Sequence, residues 1–398
     1  MINNFHDLIR ENNTAFYTFD ISRLKERIRF LQSFLPKNTA LCYAVKANPF
    51  VIREVSNNFD KLEVCSPGEA AICNSLNIPT DKMVISGVYK TPEYIEKFFS
   101  DSEFHGIFTV ESLTQYKLLC DLSRKYRKKT NFIVRLTNDS QFGMNATDIE
   151  DIIQTLEKHP NMHCIGIQFF SGTQKTSIKK LKREVAQLDQ FLIHLKETYR
   201  YSVEFLEYGP GFPVSYFDME DFDEESFLRE FRCMLNEMTY KTQIILELGR
   251  SIVASCGNYY THIVDIKNNN GQNYLLIDGG MHHIVYYGQM MAAKHPKLTV
   301  PGKHAVIADK LWTVCGSLCS MHDIIVKQIA LPDVKIGDVI CFENTGAYCM
   351  TEGMSLFLSR DIPPVYLILE NNEIICVREI FETAQLNTPK YERTTWKD

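Results

Sequence analysis

Lys46 stands at the end of a short apolar run, Leu41-Cys42-Tyr43-Ala44-Val45, and Asn48-Pro49 interrupts the chain just beyond it. Proline has no N–H and biases its predecessor away from the α region, so the run reads as a buried strand with a lysine at its tip. An ammonium there must be hydrated or paired. Partial desolvation lowers its pKa, and a neutral amine condenses with an aldehyde. A solitary lysine in this position more often reaches for water, so the reading depends on its company. Glu247 and Arg250 close a second apolar run, Gln243-Ile244-Ile245-Leu246. A carboxylate at a buried strand end needs a partner, either Arg250 in a purely structural pair or the N–H of a protonated ring. The turn Tyr208-Gly209-Pro210-Gly211-Phe212 can aim backbone N–H groups at an anion, although a Gly/Pro turn is often only a turn.

Positioning these groups requires a particular arrangement of elements. Residues 14–20 read as a strand, followed by a helix over 21–34 with Asp20 as N-cap. Strand patterns then fall at 41–45, 62–64, 83–85, 106–110, 131–136, 164–170, 203–208 and 244–248, with helical patterns such as 112–126, 147–158, 175–200 and 222–238 between them. Strands and helices alternating in this way predict a (β/α)8 barrel of the TIM type; an open doubly wound sheet is disfavoured because no GxGxxG follows the first strand. After Arg250 the pattern becomes strand-like at 251–266, 274–278, 304–308, 323–330, 338–343 and 364–378, with hairpin signals at Asn268-Asn269-Asn270-Gly271 and Glu370-Asn371-Asn372-Glu373. The expected division is a barrel over 25–252 and an all-β domain made of 1–24 and 253–398.

Composition narrows the function. A net charge of −6 argues against nucleic acid as the main partner. No apolar window is long enough for a membrane span, and the first residues lack the basic and apolar regions of a signal peptide. The 12 cysteines are scattered singly, and Cys42, Cys164 and Cys341 lie in apolar runs, which points to reduced thiols and a cytoplasmic setting rather than disulfides or zinc. His282 and His283 are adjacent and would point to opposite faces of a strand, so no metal site is expected.

In a barrel the strands' C-terminal ends carry the chemistry, and here they present Lys46, Glu63, Arg135, Phe170, Gly209, Glu247 and Arg250. An amine for an aldehyde, a loop for a phosphate and a carboxylate for a ring nitrogen are the three handles of pyridoxal 5'-phosphate. The chain resembles the fold-type III pyridoxal-phosphate decarboxylases, the group of diaminopimelate and ornithine decarboxylases. The matching pieces stand in that family's order: Tyr43-Ala44-Val45-Lys46-Ala47-Asn48, Val64-Cys65-Ser66-Pro67-Gly68-Glu69, Gly166-Ile167-Gln168-Phe169-Phe170-Ser171-Gly172-Thr173, Gly209-Pro210-Gly211-Phe212-Pro213, Glu247-Leu248-Gly249-Arg250, Asp278-Gly279-Gly280, Cys315-Gly316-Ser317-Leu318-Cys319 and Gly346-Ala347-Tyr348. The resemblance implies that Lys46 is the Schiff-base lysine, with Glu63 and Arg135 beside it. It implies that Gly209, Gly211, Phe212, Thr173, Arg250 and Tyr348 surround the phosphate and that Glu247 holds the pyridinium. It also implies that Cys319 reaches the neighbouring subunit's site and protonates the carbanion, which makes the active unit a homodimer with shared sites.

The departures bear on substrate. Phe170 stands where the family stacks a histidine, so ring stacking is kept and any proton role is lost. Gly209-Pro210-Gly211 replaces three glycines and removes one N–H donor. Ser320 follows Cys319 where the diamine decarboxylases carry an acid that reads a distal ammonium, and no Arg-Pro segment for a distal carboxylate is evident. Arg250, Asp278, Ser320 and Tyr348 are the candidate substrate contacts, with Asp278 available to face a distal amine or simply to cap the Gly279-Gly280 turn. The likeness is strongest to the branch typified by the L-glutamyl-[acyl-carrier protein] decarboxylase of butirosin biosynthesis, on Gln141-Phe142-Gly143-Met144, Ser171-Gly172-Thr173-Gln174, Asp278-Gly279-Gly280-Met281-His282-His283 and Asn344-Thr345-Gly346-Ala347-Tyr348. The expected activity is removal of the α-carboxylate of an amino acid whose distal end is uncharged or tethered, a carrier-protein thioester being one such tether. The alternatives are decarboxylation of free diaminopimelate, lysine or ornithine, and a non-catalytic pyridoxal-phosphate-binding homologue. Lys294, Lys297, Lys303 and Lys310 are candidates for docking an acidic carrier.

Overall fold

The computed structural model describes residues 5–303 and 310–390. The chain divides into two compact units, one of residues 24–214 with 221–253, the other of 1–23, 215–220 and 254–398. The first strand, β1 (Phe16–Asp20), belongs to the latter. In the former, β2 (Thr39–Ala44), β3 (Lys61–Val64), β4 (Met83–Ile85), β5 (Ile107–Val110), β6 (Thr130–Leu136), β7 (Met162–Phe170), β8 (Phe205–Gly209) and β9 (Gln243–Leu248) close a parallel barrel in sequence order. Every one lies within two residues of its expected position. Their nearly continuous burial follows from helices covering the outside while side chains fill the inside.

Alternate residues of a barrel strand face the interior. The lower interior layer is apolar, built on Ala40, Cys42, Val84, Ile107, Ile133, Phe205 and Ile245. Two residues further along the same strands the layer turns polar: Ser86, Thr109, Arg135, Glu207 and Glu247, joined by Glu63 and Gln168, all buried. An apolar plug thus supports a ring of polar groups at the strands' C-terminal ends.

The β unit carries β1 with β10 (Gly257–Asn269), β11 (Gln272–Ile277), β12 (Leu298–Thr299), β13 (Leu311–Cys315), β14 (Ile324–Ala330), β15 (Val339–Phe342), β16 (Val365–Ile368) and β17 (Ile374–Arg378). The main path runs β14-β13-β11-β10-β1-β16-β17, with β15 pairing both β10 and β12. The β10–β11 hairpin turns at Asn270 and Gly271, whose φ values of 52° and 82° need residues that tolerate the left-handed region.

Two expectations change and a third falls outside the described residues. The run at 251–266 is not strand from its start: Arg250–Val253 is helical and Ala254–Cys256 is a 3-10 turn. Gly249 C=O accepts from Ile252 and Val253 N–H, and the β-branched residues there report burial rather than extension. The strand read at 304–308 lies outside the described residues, and β13 was not anticipated. His282 and His283 sit in a turn with ring centroids 3.8 Å apart, not on a strand with opposed faces.

Candidate active site

Lys46 lies just past β2, on a 3-10 turn (Val45–Ala47) rather than on the strand itself. The turn is held from both sides: Tyr43 Oη donates to Asn48 C=O, and Asn48 Oδ1 accepts from Phe50 N–H. Lys46 Nζ donates to Glu63 Oε2 at 2.5 Å, lies 3.7 Å from Glu247 Oε1, and meets Cys65 Sγ at 3.5 Å. Its side chain is 40 % exposed, whereas those of Glu63 and Glu247 are 3 % and 7 % exposed, so the amine opens to solvent above a buried acid pair.

Glu63 is placed by how β3 ends. Ser66 Oγ accepts from Glu69 N–H while Glu69 Oε2 accepts from Cys65 N–H, and Pro67 opens the helix Pro67–Ser75. This reciprocal cap turns the chain immediately after the strand. Burial alone would push Glu63 up, but the Lys46 ammonium and hydrogen bonds hold it at about 2. Glu247 moves the other way, raised by burial and then by the Glu63 charge. Two neighbouring carboxyls with one cation nearby cannot both ionise easily, so the pair has room for one more positive charge.

Arg135, on β6, pairs with Glu111 Oε2 at 3.3 Å, and its guanidinium lies 4.9 Å from the Phe142 ring centroid and 6.0 Å from that of Phe170. Phe170 ends β7 against Gly209 on β8, where an added Cβ would stand 2.4 Å from the phenyl Cδ2. Gly211 has φ +65°, and its Cβ would stand 2.0 Å from Gly172 O. Arg250 Nε donates to Thr173 Oγ1 at 3.2 Å, and Phe212 is buried against Phe227 and Phe231. The structure therefore brings Lys46, Glu63, Arg135, Phe170, Thr173, Gly209, Gly211, Phe212, Glu247 and Arg250 together in the barrel unit. Gly211→Ala is expected to strain the backbone by about 1–3 kcal/mol and to weaken cofactor retention at least about ten-fold, read by dialysis followed by absorbance.

Asp278, Cys319, Ser320 and Tyr348 belong to the β unit. Both Asp278 oxygens are engaged: Oδ1 accepts from Thr261 Oγ1 and His262 N–H, and Oδ2 lies 3.0 Å from His262 Nδ1. Cys319 is exposed on a loop ordered by Asp323, whose carboxylate accepts from Leu318 and Met281 N–H. That carboxylate sits where Cβ atoms on Gly280 and Gly316 would collide with it, which accounts for both glycines. Ser320 Oγ accepts from His322 N–H. Tyr348 holds a left-handed φ of 63°, a conformation that costs energy for a bulky residue and concentrates at functional sites.

Sequence reasoning missed four groups at the barrel mouth, three of them buried and Lys90 partly so. Glu111 pairs with Arg135, and Gln168 donates to Glu207. Lys90 donates to Gly87 C=O and Gln115 Oε1, and burial pushes it down to about 8 despite Glu111. Stepping two residues back from Phe170 and Gly209 would have found Gln168 and Glu207, since period 2 marks the same barrel face. Among the described residues no cluster of His, Cys, Asp and Glu suits a metal ion, and no helix is long and apolar enough to cross a membrane.

An amine over an acid pair with room for one more positive charge, beside a glycine cradle too tight for a Cβ, fits the aldehyde, ring nitrogen and phosphate of pyridoxal phosphate. Comparison with known proteins agrees. The diaminopimelate decarboxylase of Aquifex aeolicus is 23% identical over 398 residues, covering 94% of this chain and 90% of that protein. The 2-[(L-alanin-3-ylcarbamoyl)methyl]-2-hydroxybutanedioate decarboxylase of Staphylococcus aureus is 24% identical, covering 90% and 94%. The L-glutamyl-[BtrI acyl-carrier protein] decarboxylase of Niallia circulans is 24% identical, covering 89% of each. The crystal structure of M. jannaschii diaminopimelate decarboxylase with L-lysine superposes with a TM-score of 0.84 at 20% identity, over 96% of this chain and 92% of that one, which establishes the shared fold. The family model described as pyridoxal-dependent decarboxylase, pyridoxal binding domain, matches residues 21–254, the whole barrel and more than half of the chain. The chain therefore belongs to the pyridoxal-dependent decarboxylases, the diaminopimelate and ornithine decarboxylase family of carboxy-lyases, whose cofactor is pyridoxal 5'-phosphate.

Proposed function

We propose that this enzyme removes the α-carboxylate of an amino acid whose distal end is extended through an amide or thioester, with a glutamyl group on an acyl-carrier protein as the leading case. The observation that carries this reading is Asp278. It is the acid left to recognise a distal ammonium once Ser320 replaces the acid after Cys319, and both its oxygens are already engaged by Thr261 and His262. A substrate that brings no distal charge needs no counter-ion there. Two relatives named above act on amino acids joined to a larger group, one through a carbamoyl link and one through a carrier protein.

Bound in the barrel, pyridoxal phosphate supplies an aldehyde carbon for amines and a ring that accepts the electron pair left when CO2 departs. Lys46 is the amine that secures the aldehyde carbon, and Glu63 keeps that amine in place. Glu247 holds the proton on the ring nitrogen. Thr173, Arg250 and the backbone N–H groups of Gly209, Gly211 and Phe212 would hold the phosphate. Arg135 and Phe170, which lie beside each other at the strand ends, would contact the ring, Phe170 by stacking. Phe170 has no proton to give, so Cys319 delivers the proton to the substrate Cα, contributed across a two-fold homodimer. Cys319→Ala is expected to slow amine product formation about 10²-fold while the cofactor stays bound; unchanged turnover would remove Cys319 from the mechanism.

Docking of an acidic carrier has fewer basic candidates than the sequence offered. Lys294 lies 3.5 Å from Glu220 and Lys303 lies 2.5 Å from Asp338, so two of the four are already paired within their own unit. The test is CO2 release by the cofactor-loaded protein given free glutamate, diaminopimelate, lysine and ornithine, and in parallel a glutamyl-loaded carrier protein. Release from the carrier-bound substrate alone supports the proposal. Release from any free diamino acid overturns it, and release from diaminopimelate would match the activity named for the Aquifex relative.

A further inference from the structure

Glu207 has no role in the chemistry above, yet it is fully buried in the polar layer of the barrel. Gln168 Nε2 donates to its Oε1 at 2.5 Å. The other oxygen of each partner, Glu207 Oε2 and Gln168 Oε1, is buried without a hydrogen-bond partner. Were Glu207 ionised, both orphans would be acceptors facing a dry interior, at a cost of about 1–3 kcal/mol each. One proton on Oε2 converts it to a donor and lets the carboxylic acid and the carboxamide bond to each other in both directions. The two residues are direct neighbours across β7 and β8, and two residues further on the same strands pair Phe170 with Gly209.

We propose that Glu207 is a positioning residue that works as the neutral acid: doubly hydrogen-bonded to Gln168, it fixes the spacing of β7 and β8 and so places Phe170 and the Gly209–Phe212 loop against the cofactor. This rests on the placement of pyridoxal phosphate over Lys46 and Glu247. Loss of the Glu207 proton adds an uncompensated charge beneath the site and breaks one of the two bonds, so the cofactor is released more readily as the medium turns alkaline. The groups acting on Glu207 are Cys42 from β2, Glu63 from β3, Arg135 from β6, Glu247 from β9 and Lys46 above, while Ser86 and Thr109 on the remaining strands do not titrate. Burial first and the Glu63 charge second raise Glu207 to about 7, against smaller opposing effects of Gln168, Lys46 and Arg135.

Glu207→Gln keeps a neutral, doubly bonded pair and removes the proton equilibrium. An acid raised in the folded state confers stability that is full below its unfolded value and is lost as pH climbs through its folded value. The unfolding constant of the wild-type full chain should therefore rise relative to that of E207Q by about ten-fold per pH unit between about 4.5 and 7. In the holoenzymes, the wild-type cofactor dissociation constant should climb about ten-fold per pH unit above about 7 relative to that of E207Q. Parallel unfolding curves would overturn the neutral acid; diverging unfolding curves with parallel cofactor curves would overturn the positioning role alone. Should E207Q fail to fold, Gln168→Leu reads the same equilibrium, because losing the amide donor should move the wild-type break upward; an unmoved break overturns the pair. Retention of the cofactor's visible absorbance by Lys46→Ala would instead sink the site on which the proposal rests, and it is scored without reference to either pH curve.

Discussion

Lys46→Ala is expected to abolish the visible absorbance of bound cofactor and to lower CO2 release by at least about 10³-fold. The same change also touches stability. Glu63 and Glu247 are buried side by side with Lys46 as the cation directly against Glu63, and truncating one partner of a buried pair leaves the remaining charge without compensation. Glu63 can escape only by taking a proton. Its folded value is held down in the wild type, so the stability it contributes is present above about 4.5 and lost as pH falls through about 2. The Tm deficit of Lys46→Ala should thus be largest near neutrality and shrink as pH falls from about 4.5 towards about 2, the window in which the unfolded carboxyl is protonated and the folded one is not. Lys46→Arg separates the two effects, because a guanidinium restores the cation but does not condense with an aldehyde. It should recover Tm without recovering turnover. A Lys46→Ala protein with wild-type absorbance would remove this lysine from the cofactor site.

The parts of the fold that were legible are those where burial and period agree. The eight barrel strands are short, mostly apolar runs, and each run sits within two residues of an observed strand. Lys46, Glu63, Arg135 and Glu247 were found because a charge at the end of such a run is conspicuous. Gln168 was passed over because it stands inside a run, where a single uncharged polar residue reads as noise. Glu207, one residue from the end of its run like Arg135 and Glu247, was passed over because the Gly209-Pro210-Gly211 turn just beyond it is the more conspicuous feature. Glu111 and Lys90 escaped for a different reason: they occupy βα loops, and a loop charge looks solvated until tertiary structure buries it. The helical turn after β9 was misread because Ile252 and Val253 are buried on all sides, and a fully apolar stretch has no period to distinguish helix from strand. Asp278 was legible as a residue but not as a role: the alternatives were a distal amine or a cap on the Gly279-Gly280 turn, and its oxygens are instead engaged by Thr261 and His262, two residues of the neighbouring strand.

Glu247→Gln is the sharper test of what the polar layer is for, because activity and stability should move in opposite directions. Glu247 is raised well above its usual value by burial first and then by Glu63, so the folded protein has to keep a proton there or carry an unfavourable charge. A raised acid gives stability that is full below about 4.5 and is lost as pH rises towards its folded value. A glutamine of the same shape carries no such penalty. The variant should therefore match or exceed wild-type Tm, with the advantage widening as pH rises above about 4.5. Turnover should fall about 10²- to 10³-fold, the scale on which removing one preorganised electrostatic partner of a developing charge is felt. The cause is specific: a neutral amide cannot hold the ring nitrogen protonated, so the electron pair left by CO2 has a poorer acceptor. Cofactor binding should persist, since Lys46, Thr173, Arg250 and the glycine cradle are untouched. A variant that keeps wild-type turnover would assign the ring nitrogen to another partner. One that loses stability and activity together would make Glu247 a structural acid. The predicted outcome, a firmer and slower enzyme, is what a buried carboxylate kept for chemistry should give, because its cost is borne by the fold in the absence of the cation it is placed to meet.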